Sequence, residues 1–201
     1  MTLTASNFGF GPFGPVDLAV ESGECLGISG PSGAGKTLLL RAIADLDPVP
    51  GEVLLEGVPR ARIPAPEWRR RVAYVPAEPG WWADRVRAHF ADPEAALPLV
   101  EALGLPPEAL DWEVRRLSTG ERQRLALARA LALEPEVWLL DEPTGALDAE
   151  ATARVEALLR RGREEGRAIL IVTHDAAQAE RLADRTLTMQ GGRLSAPAQA
   201  A

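Results

Sequence analysis

An α/β fold, with a mostly parallel sheet flanked by helices, is what this 201-residue sequence predicts, and three features predict it. Strand-like and helix-like segments alternate along the chain. Several strand-like segments are apolar at every position, as strands covered on both faces are. A glycine-rich loop also lies directly between an apolar strand and a helical pattern, the arrangement of a phosphate-binding βα turn.

The elements follow in order. A small antiparallel β part is expected at the N-terminus, with a strand over residues 16–20. A strand at 25–29 leads through the glycine-rich loop into a helix at 36–46, which Pro48 and Pro50 end. Strands recur at 51–56 and 71–75. Residues 76–117 are rich in Pro, Ala and Trp and lack strand patterns; with helical pieces near 83–90 and 94–103, they read as a helical subdomain beside the sheet. A long helix at 119–133, a buried strand at 137–140, a helix at 150–163 and an apolar strand at 168–172 come next. A helix at 176–182 and a strand at 186–190, turned by Gly191 and Gly192, close the pattern. Residues 1–75 and 118–195 thus form the core of a single domain spanning 1–201, and the Ala- and Pro-rich 196–201 a flexible tail.

Composition excludes several classes. Apolar residues make up 46% and charged residues 25%, ordinary for a soluble globular chain. No apolar run approaches the roughly 20 residues that span a bilayer, and residues 1–10 lack the basic-then-apolar pattern of a secretory signal. Cys25 is the single cysteine; it lies in an apolar strand and reads as a small buried hydrophobe in a reducing, cytoplasmic setting. A net charge of -7 argues against a general nucleic-acid partner, which needs a basic footprint. The arginines between 115 and 129 are interleaved with Glu113 and Glu121 and read as a solvated helix face.

The chemistry sits in two motifs. Gly30-Pro31-Ser32-Gly33-Ala34-Gly35-Lys36-Thr37 fits the P-loop pattern G-x-x-x-x-G-K-[ST] at every fixed position. Its glycines let backbone N–H groups turn inward, and the helix start, running into Leu38, adds partial positive charge. Lys36 is expected to reach the β- and γ-phosphates of a bound nucleotide, and the Thr37 hydroxyl to ligate Mg2+. In the second motif, the apolar strand 137–140 ends in Asp141 and Glu142, at the strand end that faces the ligand crevice of such a sheet. Asp141 is placed for Mg2+, and Glu142 to polarise the attacking water as a general base.

The run Leu117-Ser118-Thr119-Gly120-Glu121-Arg122-Gln123-Arg124 resembles the signature of the ATP-binding cassette (ABC) ATPases, commonly L-S-G-G-Q, and lies shortly before the second carboxylate motif as in that family. Ser118 and Glu121 also form a capping-box pattern, so a helix starts there. The resemblance runs almost from end to end. It implies that Ser118, Thr119, Gly120 and Glu121 contact the γ-phosphate held by a partner subunit, that Gly145 to Asp148 is the loop crossing the dimer interface, and that His174 is the switch histidine on the γ-phosphate. An N-terminal aromatic stacks on adenine in this family; Phe8 and Phe10 are the candidates, with Phe13 less favoured. The resemblance further implies a head-to-tail, ATP-dependent homodimer at the inner face of the cell membrane. A separate transmembrane permease would supply the path, and the chain's own membrane association would be peripheral.

One departure stands out. Ala77 occupies the register where the family places a glutamine that meets Mg2+ or the attacking water, with Glu78 next to it. Alanine has no side-chain donor or acceptor, so weaker Mg2+ coupling or slower turnover is expected. Trp81 and Trp82 fall where the family's groove receives a permease helix, although packing within the helical part accounts for them equally. A non-transport relative acting on DNA or ribosomes is disfavoured, since no paired cassette, coiled-coil arm or basic extension is visible. A regulatory module with low turnover stays open through Ala77. Cargo is not legible, and a loose likeness of the short segment after residue 75 to compact exporter subunits leans toward export.

Overall fold

The computed structural model describes residues 2–10 and 12–196. Two sheets make up its β structure. The first is antiparallel, in the order β2-β1-β4-β5, from β1 (Thr2–Phe10), β2 (Phe13–Glu21), β4 (Glu52–Leu55) and β5 (Val58–Pro59). The second has six strands in the order β10-β9-β3-β8-β7-β6: β3 (Cys25–Ser29), β6 (Val72–Val75), β7 (Val137–Asp141), β8 (Ala168–Val172), β9 (Arg185–Gln190) and β10 (Arg193–Ser195). The pairings from β9 through β6 are all parallel; only β10 runs antiparallel, folded back by the turn at Gly191 and Gly192. Ser195 therefore belongs to a strand, and of the expected tail at 196–201, residues 197–201 lie outside the described residues.

Every residue of β7 and β8 is buried, and the period-two alternation divides them between two cores. Leu139, Leu170 and Val172 face the antiparallel sheet and α1 (Lys36–Ile43). Trp138, Leu140, Ile169 and Ile171 face α4 (Thr119–Leu131) and α5 (Ala149–Glu164). Cys25 joins the second core; burial pushes its thiol up to about 12, so it stays neutral, as the apolar strand around it predicts.

Several elements differ from expectation. Helix α1 stops at Ile43, three residues early, because Asp45 turns left-handed (φ 59°) ahead of the prolines. A short helix, α2 (Ala65–Arg71), was not expected between the strands; it exists to seat Trp68, fully buried, whose indole N–H donates to the Ile43 carbonyl at 2.9 Å. Between β6 and α4 the helical content is thinner than its composition suggests: α3 (Leu97–Ala102) and 3-10 turns, one of them covering only Val86–His89 where a longer piece was expected. Prolines at 93, 98, 106 and 107 explain the interruption, since each removes a backbone donor. The last helix, α6 (Ala176–Leu182), matches the expected span.

Candidate active site

Chain direction makes the site. Parallel strands β3, β7 and β8 end on the same edge of the sheet, so the loops that follow them meet there. A cleft of about 250 Å3 opens at that edge, lined by Ser32 through Leu38, by Ala77, Asp141, Glu142 and His174, and by Phe13.

Gly35, at φ 106°, forms the N-cap of α1, and Gly33, at φ 77°, turns the loop above it. Both are left-handed conformations that favour glycine. Lys36 is nearly buried, and its Nζ donates to the Gly30 and Pro31 carbonyl oxygens at 2.7 and 2.9 Å. An ammonium held by neutral carbonyls beside a helix N-terminus lacks an anion, and phosphate supplies one.

Asp141, 4% exposed, accepts the Thr37 hydroxyl on Oδ2 at 2.7 Å. One hydroxyl and one carboxylate at this spacing suit a hard cation that completes its shell with phosphate oxygens and water. Among the described residues no cluster of three or more His, Cys, Asp or Glu could hold a metal alone. The donor set therefore fits Mg2+ carried in with a nucleotide.

Glu142 follows β7 with a left-handed backbone, φ 50°, costly for a long side chain and typical of functional positions. Its N–H donates to the Val172 carbonyl at 2.9 Å, which locks the strained residue to β8. Glu142 Oε2 accepts the His174 backbone N–H at 3.3 Å. The His174 Nε2 stands 3.1 Å from Oε1 but is not aligned as a hydrogen bond, so this buried oxygen has no donor. Desolvation raises the Glu142 carboxyl above the usual range, against the opposing pull of His174. A carboxylate so placed is a stronger base than one in water.

The remaining candidates do not meet in this cleft. Ser118 caps α4 in a complete capping box: Glu121 N–H donates to Ser118 Oγ at 3.2 Å, and Glu121 Oε2 accepts the Ser118 N–H at 2.8 Å. Thr119 and Gly120 open the same helix, and Gly120 abuts the Ala146 carbonyl, where a Cβ would come within 3.2 Å. Asp148 caps α5 by accepting the Ala151 N–H at 2.8 Å. The start of α4 and the 145–148 loop thus form one surface apart from the cleft.

The adenine candidate Phe8 requires correction. It is wholly buried in the core, as is Phe10, so neither can stack on a base. Phe13 lines the cleft instead, and two glycines make room for it: a Cβ on Gly192 would come within 2.3 Å of Phe13, and one on Gly35 within 2.8 Å. Alternation in β2 carried the signal, since the buried Val16, Leu18 and Val20 are even-numbered and Phe13 is odd. Sequence reasoning also missed Gln178. Fully buried, it donates from Nε2 to Thr144 Oγ1 at 2.7 Å, tying α6 to the loop after Glu142. Trp81 and Trp82 divide the two readings made of them. Trp81 is half-buried against the second core and Trp82 is 71% exposed, and Arg129 stands over both rings at 4.8 and 5.0 Å.

Comparison with known proteins agrees with this geometry. The family model described as ABC transporter matches residues 13–145. The aliphatic sulfonates import ATP-binding protein SsuB 2 of Paracoccus denitrificans (strain Pd 1222) is 40% identical over 195 residues, covering 90% of this chain and 74% of that protein. Protein STAR1 of Oryza sativa subsp. japonica is 40% identical over 190 residues, 88% of this chain but only 55% of the rice protein. A solved ATP-binding subunit of an ABC transporter superposes with a TM-score of 0.87 at 26% identity, covering 98% of this chain and 89% of the other. With a family match over well more than half its length and a relative of this identity and coverage, the chain belongs to the ABC transporter ATP-binding family.

Proposed function

We propose that this chain is the ATP-binding and ATP-hydrolysing subunit of an ABC transporter, working as an ATP-dependent homodimer on a separate transmembrane permease at the cytoplasmic face of the membrane. The observation that carries the proposal is the division of the site. Lys36, Thr37, Asp141, Glu142 and His174 converge on one cleft, whereas the helix start at Ser118 and the loop at Asp148 stand apart. A helix N-terminus with a hydroxyl and free N–H groups is an anion site, and in a head-to-tail pair it would close over the partner's cleft.

The residues divide the work of phosphoryl transfer, in which positioning and charge neutralisation dominate. Phe13 offers a face to the base. The loop 30–38 holds the phosphates by backbone N–H groups, and Lys36 exchanges its carbonyl partners for phosphate oxygens. Bound Mg2+, taken by Thr37 and Asp141, would neutralise charge on the β- and γ-phosphates. Glu142 accepts the proton of the attacking water on its carboxylate, and His174 orients beside it. Loss of the γ-phosphate removes the contact between the two chains and lets them open.

Trp82, exposed beside a cleft of about 580 Å3 with Asp84 and Glu113, is where the permease docks in this reading. Among the described residues no helix is long and apolar enough to cross a membrane. For direction, import is the reading favoured by the SsuB 2 relative, whose name specifies import. That outweighs the lean toward export drawn from the short segment after β6.

The test is MgATP hydrolysis by the purified chain against its own concentration. A rate rising more steeply than linearly is expected, because each site needs two chains. A strictly linear rate would sink the composite site.

A second reading, a regulatory subunit with slow turnover, is favoured by Ala77, which lines the cleft without a polar side-chain atom. Ala77→Gln is expected to raise hydrolysis several-fold, about 1 kcal/mol of barrier, or to lower the Mg2+ needed for half-maximal rate. Neither change would remove Ala77 as the cause of slow turnover.

A further inference from the structure

Tyr74 stands in β6 beside the acidic end of β7, half-buried, with its ring against the core that α1 shares. Its hydroxyl donates to Asp141 Oδ2 at 3.3 Å, the same oxygen that accepts Thr37. Among the described residues, both side-chain hydrogen bonds to this carboxylate fall on Oδ2, so Thr37 and Tyr74 together hold that oxygen.

The two donors are not equivalent. The Thr37 hydroxyl lines the cleft and would itself meet a bound cation, which its lone pairs can do while its proton stays on Asp141. Tyr74 does not line the cleft, so its bond reaches Asp141 from outside the space a cation would take. A partner that fixes a metal-binding carboxylate from outside the ligand shell commonly governs metal affinity. Three residues further on, Ala77 presents no polar side-chain atom to the cleft, so the β6 end carries its polar contact to the site through Tyr74.

We propose that Tyr74 is a positioning residue for the divalent cation of MgATP, holding Asp141 in ligating orientation through its phenol. The inference rests on the reading of this cleft as an MgATP site.

The experiment is Mg2+ titration of the full chain with a fluorescent ATP analogue, wild type against Tyr74→Phe, with the same analogue bound in EDTA as reference. Phenylalanine keeps the ring and removes one oxygen. Tyr74→Phe is expected to raise the Mg2+ concentration for half-saturation by about tenfold, while analogue affinity in EDTA and thermal stability stay near wild type. An unchanged half-saturation overturns the inference. So does a parallel loss of affinity in EDTA, which would make Tyr74 a wall of the pocket. Should wild type bind no analogue under either condition, the MgATP reading itself fails, and the inference with it. A second variant, Tyr74→Leu, guards the interpretation: the Mg2+ shift must match that of Tyr74→Phe, because the lost hydroxyl and not the ring is the cause.

Discussion

Glu142→Gln is expected to lower MgATP hydrolysis by about 10²–10⁴-fold, the size of a general-base contribution, while nucleotide binding persists. Glutamine keeps the shape and the bond from the His174 N–H but cannot take a proton. Trapped with ATP, the variant should accumulate as a dimer on size-exclusion chromatography. A residual rate within about tenfold of wild type would leave Glu142 without the role of base. The same variant makes a stability prediction of definite sign. Burial raises the Glu142 carboxyl above its ordinary range, so the folded state binds that proton more tightly than the unfolded chain does. Wild type therefore loses stability as pH rises from the ordinary carboxylate value through the raised one, and regains it on acidification. Glutamine has no charge to bury. The melting temperature of Glu142→Gln should exceed that of wild type at neutral pH, and the difference should close toward acid pH. A variant melting below wild type at neutral pH contradicts the assignment.

The second large effect separates two phenylalanines. Phe8→Ala removes a wholly buried ring from the core beneath β1 and should destabilise the fold by about 3–5 kcal/mol, a large part of the 5–15 kcal/mol typical of a domain. Phe8→Leu refills part of the space and should cost clearly less than Phe8→Ala. Phe13→Ala removes a half-buried ring from the edge of the same core and should cost less stability than Phe8→Ala, while weakening nucleotide binding by roughly 1–3 kcal/mol if one stacked base is lost. Chemical denaturation and equilibrium binding read the two effects apart. Nucleotide affinity lost in well-folded Phe8→Leu, but kept in Phe13→Ala, would restore Phe8 to the site.

What sequence alone determined here is local chemistry and periodicity. Lys36 and Thr37 are legible because a phosphate loop is continuous in the chain, with glycines at the left-handed positions its turn requires. Strands β7 and β8 are legible because a sheet covered on both faces demands apolar side chains at every position. The cap at Ser118 is legible because a helix start is satisfied within four residues. What only the tertiary structure decided are contacts between segments distant in sequence, where many pairings are compatible with the same pattern. Phe8 and Phe13 are both aromatic residues in an N-terminal β ribbon; which one reaches the cleft depends on register shifts in β1 and on Gly192, some 180 residues away in sequence, making room for a ring. Tyr74 meets Asp141 only because β6 and β7 pair in parallel, across 67 residues. Short-range signals report the conformation of each piece, whereas the site is assembled by sheet pairing, whose register is set by the packing of both faces.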